Sequence, residues 1–325
     1  MRFSNRRTAL VLGVSGVLAG FAPLGSAQDF PRKQITIVVP YAAGGGADAV
    51  ARLLAADITK KIGHQVLVDN RPGANGHLGT GLVARAAPDG YTLLLVPPNP
   101  IVNSKLLYKK LPFDAERDLA PVSKLVESPF AIMAYPARYP DIQSLIAYAK
   151  ANPGKVNVGT NGNGASGHLL GLAIEANTGA RFNMVPYKGS AQMVGELMTG
   201  RIDMTVDYPS AYLGQIEAKS IRVLATLGNT RSPFLPNAPT MKEAGFGVEG
   251  VGWFGLYAPK GVPADLQNRL NSLFKESLQT PTVATQLAAM GYGVVASTPA
   301  ELEAYIQSES AKLAVLVKAA NISLD

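Results

Sequence analysis

Two glycine-rich stretches carry the clearest chemical signal in this 325-residue chain. Gly44-Gly45-Gly46-Ala47-Asp48 and Gly162-Asn163-Gly164-Ala165-Ser166-Gly167 each follow a run of strand-forming residues and open a helical pattern. Glycine at such a junction lets the chain turn sharply and leaves the first helical N–H groups unpaired at the positive end of the helix dipole. Helix starts after parallel strands are ready anion sites, and ligands of such sheets collect at the carboxyl ends of the strands. Two of them facing across a cleft would suit a ligand with two carboxylates.

Other chemistries fail on particular residues. Gly162, Gly164 and Gly167 fit the dinucleotide pattern G-x-G-x-x-G, but the next strand runs into Val185-Pro186-Tyr187-Lys188-Gly189 with no acid to hold a ribose. There is no G-x-S-x-G elbow, and His168 follows Ser166 too closely along a helix start to serve as its base. The three histidines, His64, His77 and His168, have no metal-ligand spacing, and the absence of cysteine removes thiolate zinc sites, cysteine nucleophiles and disulfides. Several single residues stay open. Asp48 either caps or charge-complements its helix or serves binding through loop N–H groups or waters, His168 either bonds locally or touches ligand, and Lys188 is either solvated or a counter-charge. Asp207 follows the Ile202–Val206 strand run, where it orients loop amides or meets a cationic group or hydroxyl on the ligand. Trp253, the single tryptophan, reads as core packing.

The elements that position these residues alternate. Ile35–Val39, Gln65–Val68 and Tyr91–Val96 read as strands around helices at Ala47–Ile62 and Leu78–Ala86, a βαβαβ order that implies a parallel sheet covered on both faces. The pattern restarts with strands at Val156–Gly159, Asn183–Pro186, Ile202–Val206 and Ile221–Leu227 and helices at Leu169–Thr178 and Ala191–Thr199. Three proline-opened helices, Pro263–Leu278, Pro281–Met290 and Pro299–Ala319, close the chain and supply no sheet, so they pack on the first lobe. The chain then crosses between lobes near Leu125–Phe130 and returns near Val251–Tyr257. Two crossings make a hinge over a cleft, the plan of a venus-flytrap binding protein. The expected lobes are residues 28–127 with 254–325, and 128–253.

Composition agrees with a folded α/β chain: 47% hydrophobic and 16% charged residues exclude disorder. Arg2, Arg6 and Arg7 before the apolar Ala9–Phe21 stretch and the small residues Gly25-Ser26-Ala27 read as a secretory signal peptide over residues 1–27. Arg6-Arg7 permits twin-arginine export, although Thr8-Ala9 fits that motif poorly and Sec export serves equally. Removing those three arginines lowers the formal charge from +7 to +4, and no basic block with interleaved aromatics remains, which argues against nucleic acid. No later apolar run reaches membrane-spanning length. With no lipid-bearing cysteine, the expected compartment is the periplasm.

Ordered motifs along the chain resemble the solute-binding proteins of tripartite tricarboxylate transporters, the Bug family. They are Ile37-Val38-Val39-Pro40-Tyr41 with Gly44-Gly45, Asp48 and Ala51-Arg52, then Val68-Asp69-Asn70-Arg71-Pro72-Gly73-Ala74 and Pro88-Asp89-Gly90-Tyr91-Thr92-Leu93. Ala149-Lys150-Ala151-Asn152-Pro153-Gly154-Lys155, Val185-Pro186-Tyr187-Lys188-Gly189, Gly200-Arg201-Ile202-Asp203 and Trp253-Phe254-Gly255-Leu256 follow. The resemblance implies an α/β, two-lobed periplasmic receptor, each lobe a mostly parallel sheet flanked by helices. It is a monomer without catalysis or cofactor that closes on a small carboxylate and hands it to membrane permease subunits. It also implies a binding set: Tyr41, Gly44, Gly45, Asp48, Asn75, Gly76 and Asn99 from the first lobe, and Ser166, His168, Tyr187, Lys188, Gly189 and Asp207 from the second. Pro97-Pro98-Asn99 and Ala165 stand where the family often has small hydroxyl residues. That makes the wall more apolar and implies an aromatic or longer-chain carboxylate rather than citrate. A sensor receptor serving a signalling kinase and an extracytoplasmic α/β hydrolase are the rival readings, and a β-branched residue at Gly44 or Gly45 is expected to abolish binding by denying the loop a positive φ or its approach to the ligand.

Overall fold

The β-branched run Ile35–Val39 forms strand β1, with Ile35, Ile37, Val38 and Val39 all buried, as expected for a strand covered on both faces. The computed structural model describes residues 30–319 together with Met1, so the expected signal segment lies outside the described residues. After β1 come α1 (Gly46–Ile62), β2 (Val66–Asn70), α2 (His77–Ala84), β3 (Thr92–Val96), a π-helical turn (Asn99–Asn103), α3 (Ser104–Leu107), α4 (Ala115–Asp118) and β4 (Leu119–Pro129). The middle of the chain forms β5 (Ala131–Ala134), α5 (Ile142–Ala151), β6 (Val156–Thr160), α6 (Ser166–Thr178), β7 (Phe182–Pro186), α7 (Ser190–Met198), β8 (Met204–Asp207), α8 (Leu213–Glu217) and β9 (Arg222–Thr226). It ends with β10 (Val251–Pro259), α9 (Ala264–Leu278), α10 (Pro281–Ala289), β11 (Gly293–Val294) and α11 (Pro299–Ala319).

The strands form two sheets, ordered β11-β4-β10-β3-β1-β2 and β7-β6-β8-β5-β9. β1 pairs in parallel with β2 and β3, and β6 with β7 and β8, the two βαβ cores foreseen from the sequence. β10, β4, β11 and β5 join antiparallel, so both sheets are mixed. The antiparallel strands include the connections between sheets. β4 leaves the first sheet at Pro129 and the chain continues through Phe130 into β5 of the second, while β10 returns it after Gly250. At that junction Phe130 N–H donates to Gly250 O (3.0 Å), Gly250 N–H to Leu227 O (2.8 Å) and Leu227 N–H to Phe130 O (2.8 Å). The two connections are thus bonded to each other where they change sheets, which makes the hinge a narrow ribbon rather than two loose linkers.

The carboxyl-terminal segment is not purely helical. Gly293–Val294 adds a two-residue strand against Val126 and Glu127, too short to produce a periodic signal. α9 and α11 pack on β4, and α9 and α10 on α1, so the tail covers the first sheet as expected. α1 buries Val50, Ala51, Leu54, Ala55 and Ile58 at helical spacing, and Gly63 ends it in a left-handed conformation with its N–H on Thr59 O. That anchoring matters for function because the free amino end of α1 is what faces the cleft.

Candidate functional site

Three helix starts converge on one cavity between the two sheets. α1 contributes Gly45, Gly46 and Ala47, α6 contributes Ser166 and Gly167 with Ala165 before them, and α7 contributes Ser190 with Gly189 before it. None of the N-cap residues Gly45, Ala165 and Gly189 makes a side-chain cap bond. Their first N–H groups therefore keep their hydrogen-bonding capacity, and three positive dipole ends add up at one place. Among the described residues no Lys, Arg or His lines this cavity, so the attraction these residues offer an anion comes from backbone. The rest of the wall is Ala42, Pro97, Phe130, Tyr208 and Phe254 on its apolar and aromatic side and Tyr41, Asp48, Asn99 and Asn161 on its polar side. Tyr208 packs between Phe130 (4.6 Å between ring centroids) and Phe254 (4.9 Å), and these residues come from the second lobe, the hinge and β10.

The expected binding residues divide into wall, support and rim. Tyr41, Gly45, Asp48, Asn99, Ser166 and Gly189 form part of the cavity wall. Burial pushes the Tyr41 phenol far above its ordinary value, so it stays protonated, and its hydroxyl donates to Asn75 O at 3.3 Å. Asp48 does not confront the ligand as a free charge. It accepts from Gly44 N–H (3.0 Å) and pairs with Arg52, which also donates to Asn70 Oδ1 (2.9 Å). Burial raises the Asp48 pKa, but Arg52, the Gly44 N–H and Asn70 outweigh it and hold the carboxyl below its usual range.

Gly44, His168 and Asp207 act one step behind the wall. Gly44 has φ +84° and its N–H is taken by Asp48. Gly45 has φ −85°, so a positive φ is required at Gly44 and not at Gly45, where the close approach of backbone to the cavity is the reason left for glycine. His168 Nδ1 accepts from Gly164 N–H at 2.9 Å, which fixes the loop before α6 and leaves the ring no part as a base toward Ser166. Asp207 is fully buried and receives Asn161 Nδ2 (3.0 Å), Tyr208 N–H (2.8 Å) and Tyr212 Oη (3.0 Å). Burial raises its pKa against those bonds and one from Ser190. Asn75, Gly76, Tyr187 and Lys188 lie instead around an adjoining recess that shares Tyr41 and Asn161 with the cavity, with Lys188 exposed.

Several residues were not foreseen. Asn161, Phe130, Tyr208, Ser190 and Phe254 line the cavity, and Asn103 on the π-helical turn reaches across to Gly164 O (3.1 Å). Asn75 Nδ2 likewise reaches Asn163 O (2.6 Å), and Ser210 Oγ of the second lobe meets Tyr292 Oη of the first at 2.6 Å. The lobes are in contact, and these bonds hold the cleft closed. Trp253 is wholly buried and packs edge-on against Tyr305, away from the cavity.

Residues 50–322 match the family model of the tripartite tricarboxylate transporter family receptor. The chain is 36% identical over 316 residues to Protein BugT of Bordetella pertussis, covering 96% of this chain and 97% of that one. Among solved structures it is similar to R. palustris Rpa4515 with adipate, at TM-score 0.88 and 32% identity over 91% of this chain and 99% of that one. It is also similar to the periplasmic binding protein BugD (TM-score 0.85, 32% identity, 90% and 99% covered). A third is MatC from Rhodopseudomonas palustris with bound malate (TM-score 0.84, 29% identity, 89% and 100% covered).

Proposed function

Because the chain belongs to the tripartite tricarboxylate transporter receptor family, we propose that it captures a small carboxylate between its lobes in the periplasm and delivers it to the membrane subunits of such a transporter. The observation that carries the ligand class is the convergence of three uncapped helix starts on a cavity that no cationic side chain lines among the described residues. A carboxylate is small enough to accept several of those N–H groups at once. The similar proteins solved with adipate and malate hold ligands of the same class. Among the described residues no helix is long and apolar enough to cross a membrane, which fits a receptor that meets its permease by docking. The lobe division at residues 127/128 and 253/254 is supported by the change of sheet at Phe130 and Gly250.

The role is binding rather than catalysis: Ser166 has no base, since His168 is committed to Gly164. The wall of Pro97, Phe130, Tyr208 and Phe254 favours an aromatic or longer-chain carboxylate over citrate. A thermal-shift screen of the purified, ligand-stripped protein tests both points. Ligand at about 100 times its Kd stabilises by roughly 2.7 kcal/mol, a shift of several degrees at this size. Hits among aromatic or medium-chain carboxylates with silent nucleotides are expected. Tight binding of citrate alone would sink the apolar-body reading, and silence of every carboxylate would sink the carboxylate reading itself.

A further inference from the structure

Two amide oxygens in the cleft have no partner. Asn99 is 2% exposed, and its Oδ1 is buried without a hydrogen bond, as is Oδ1 of Asn161. Both side chains form part of the cavity wall, Asn99 from the first lobe and Asn161 from the second. Their neighbours fix which end of each amide is already bonded and which is left unpaired. Asn99 Nδ2 donates to Asn75 O at 2.8 Å, a carbonyl that can only accept. Asn161 Nδ2 donates to the Asp207 carboxylate at 3.0 Å, and Asp207 is in turn locked by Tyr208 and Tyr212. Turning either amide over would set oxygen against oxygen. The cavity is therefore built with two fixed acceptors that a carboxylate, itself an acceptor, cannot satisfy.

Resting on the carboxylate reading above, we infer that the ligand also carries a neutral hydrogen-bond donor, a hydroxyl or amide N–H, which Asn99 and Asn161 read from opposite lobes. An ammonium group is a poor match. Asp48 is neutralised by Arg52, Asp207 is saturated with donors, and three helix starts make the cavity positive. Amide oxygens serve an uncharged donor without adding charge. An acceptor left unpaired on closure weakens binding by roughly 5- to 150-fold, so these two residues would decide specificity among carboxylates of the same shape.

The test is calorimetry on two matched series that change one substituent. One is succinate, malate, N-acetylaspartate and aspartate; the other is 3-phenylpropanoate, 3-phenyllactate, N-acetylphenylalanine and phenylalanine. In at least one series the hydroxyl or amide member is expected to bind about tenfold or more tightly than both the unsubstituted parent and the ammonium member. Which of the two leads separates a hydroxyl from an amide donor. Asn99→Leu is expected to shrink that ratio to within about threefold, and the wild-type comparison stands by itself should this variant not fold. If parents bind as tightly as their hydroxyl and amide derivatives, water serves these atoms and the inference is wrong while the carboxylate reading survives. Tightest binding of an ammonium member overturns the inference in the same way. If no member of either series binds, the carboxylate reading falls and takes the inference with it.

Discussion

Asp48 shows how a residue at the site can serve the site without serving the ligand. Its carboxylate draws in Gly44 N–H and Arg52, and Arg52 ties the loop to Asn70, whose Nδ2 donates to Tyr41 O at 3.1 Å. Asp48→Ala leaves those donors unmatched in a nearly buried place and is expected to lower stability by about 1–3 kcal/mol at neutral pH. The folded carboxyl titrates below its ordinary value, so its contribution is complete above about pH 3.9 and is lost as pH falls through the lower folded pKa. Thermal unfolding of wild type and variant should differ at pH 7 and converge in strong acid; an equal gap at both would contradict this role. That Asp48 complements the dipole of its helix was legible from an acid in the first turn, but it does not cap α1, and its bond to Gly44 N–H was not foreseen. Asn161 and Tyr208 were not legible, since neither residue type signals a site. Their roles come from Asp207 and the hinge, which only the folded chain brings beside them.

At the scale of elements, the second glycine loop depends on its own helix to hold it. His168 sits in the first turn of α6 and accepts Gly164 N–H, so the ring must be unprotonated at Nδ1. Burial pushes its pKa down. A base with a lowered folded pKa gives stability that is complete above the unfolded value near 6.5 and declines as pH falls from there toward the folded value. Buried His77, bonded to Ser104 at 2.6 Å, acts in the same direction. Wild-type melting temperature is therefore expected to drop between pH 7 and pH 5, and His168→Gln to flatten that drop in part, leaving the share of His77. A profile unchanged by the substitution would mean the loop does not need this ring. The βαβ elements around this loop were readable because β-branched runs ending in glycine have a fixed period. The π-helical turn Asn99–Asn103 was not: Pro97-Pro98 masked it, although it carries both cavity-lining Asn99 and lobe-bridging Asn103. The crossing strands were located without their pairing, because antiparallel register depends on residues more than a hundred positions apart.

For the whole molecule, the question is what a ligand must change to close the lobes. It can shift the open–closed balance only by its added affinity for the closed form. That form is held by Asn75, Asn103 and Tyr108 on the Asn163–Ser166 loop at one side and by Ser210 on Tyr292 at the other. Gly46 lies under the second contact: a Cβ there would fall well inside contact distance of Tyr292 Oη and 2.7 Å from Ser210 Oγ. Its backbone is helical, so alanine fits the start of α1 itself. Tyr292 belongs to the same lobe as Gly46, so its hydroxyl must give way in any state, whereas the clash with Ser210 Oγ arises only when the lobes close. Gly46→Ala should therefore weaken ligand binding about 5- to 150-fold, the range expected for overpacking. Tyr292→Phe alone removes one hydrogen bond and should weaken binding only about 2- to 12-fold. In the double variant the hydroxyl that meets the new methyl group is gone, so Gly46→Ala/Tyr292→Phe should bind more tightly than Gly46→Ala alone, a coupling that independent sites would not show. Small-angle scattering with saturating ligand should find the single Gly46→Ala variant more extended than wild type and the double variant compact again. Additive losses, with scattering unchanged throughout, would mean that closure does not pass through this contact.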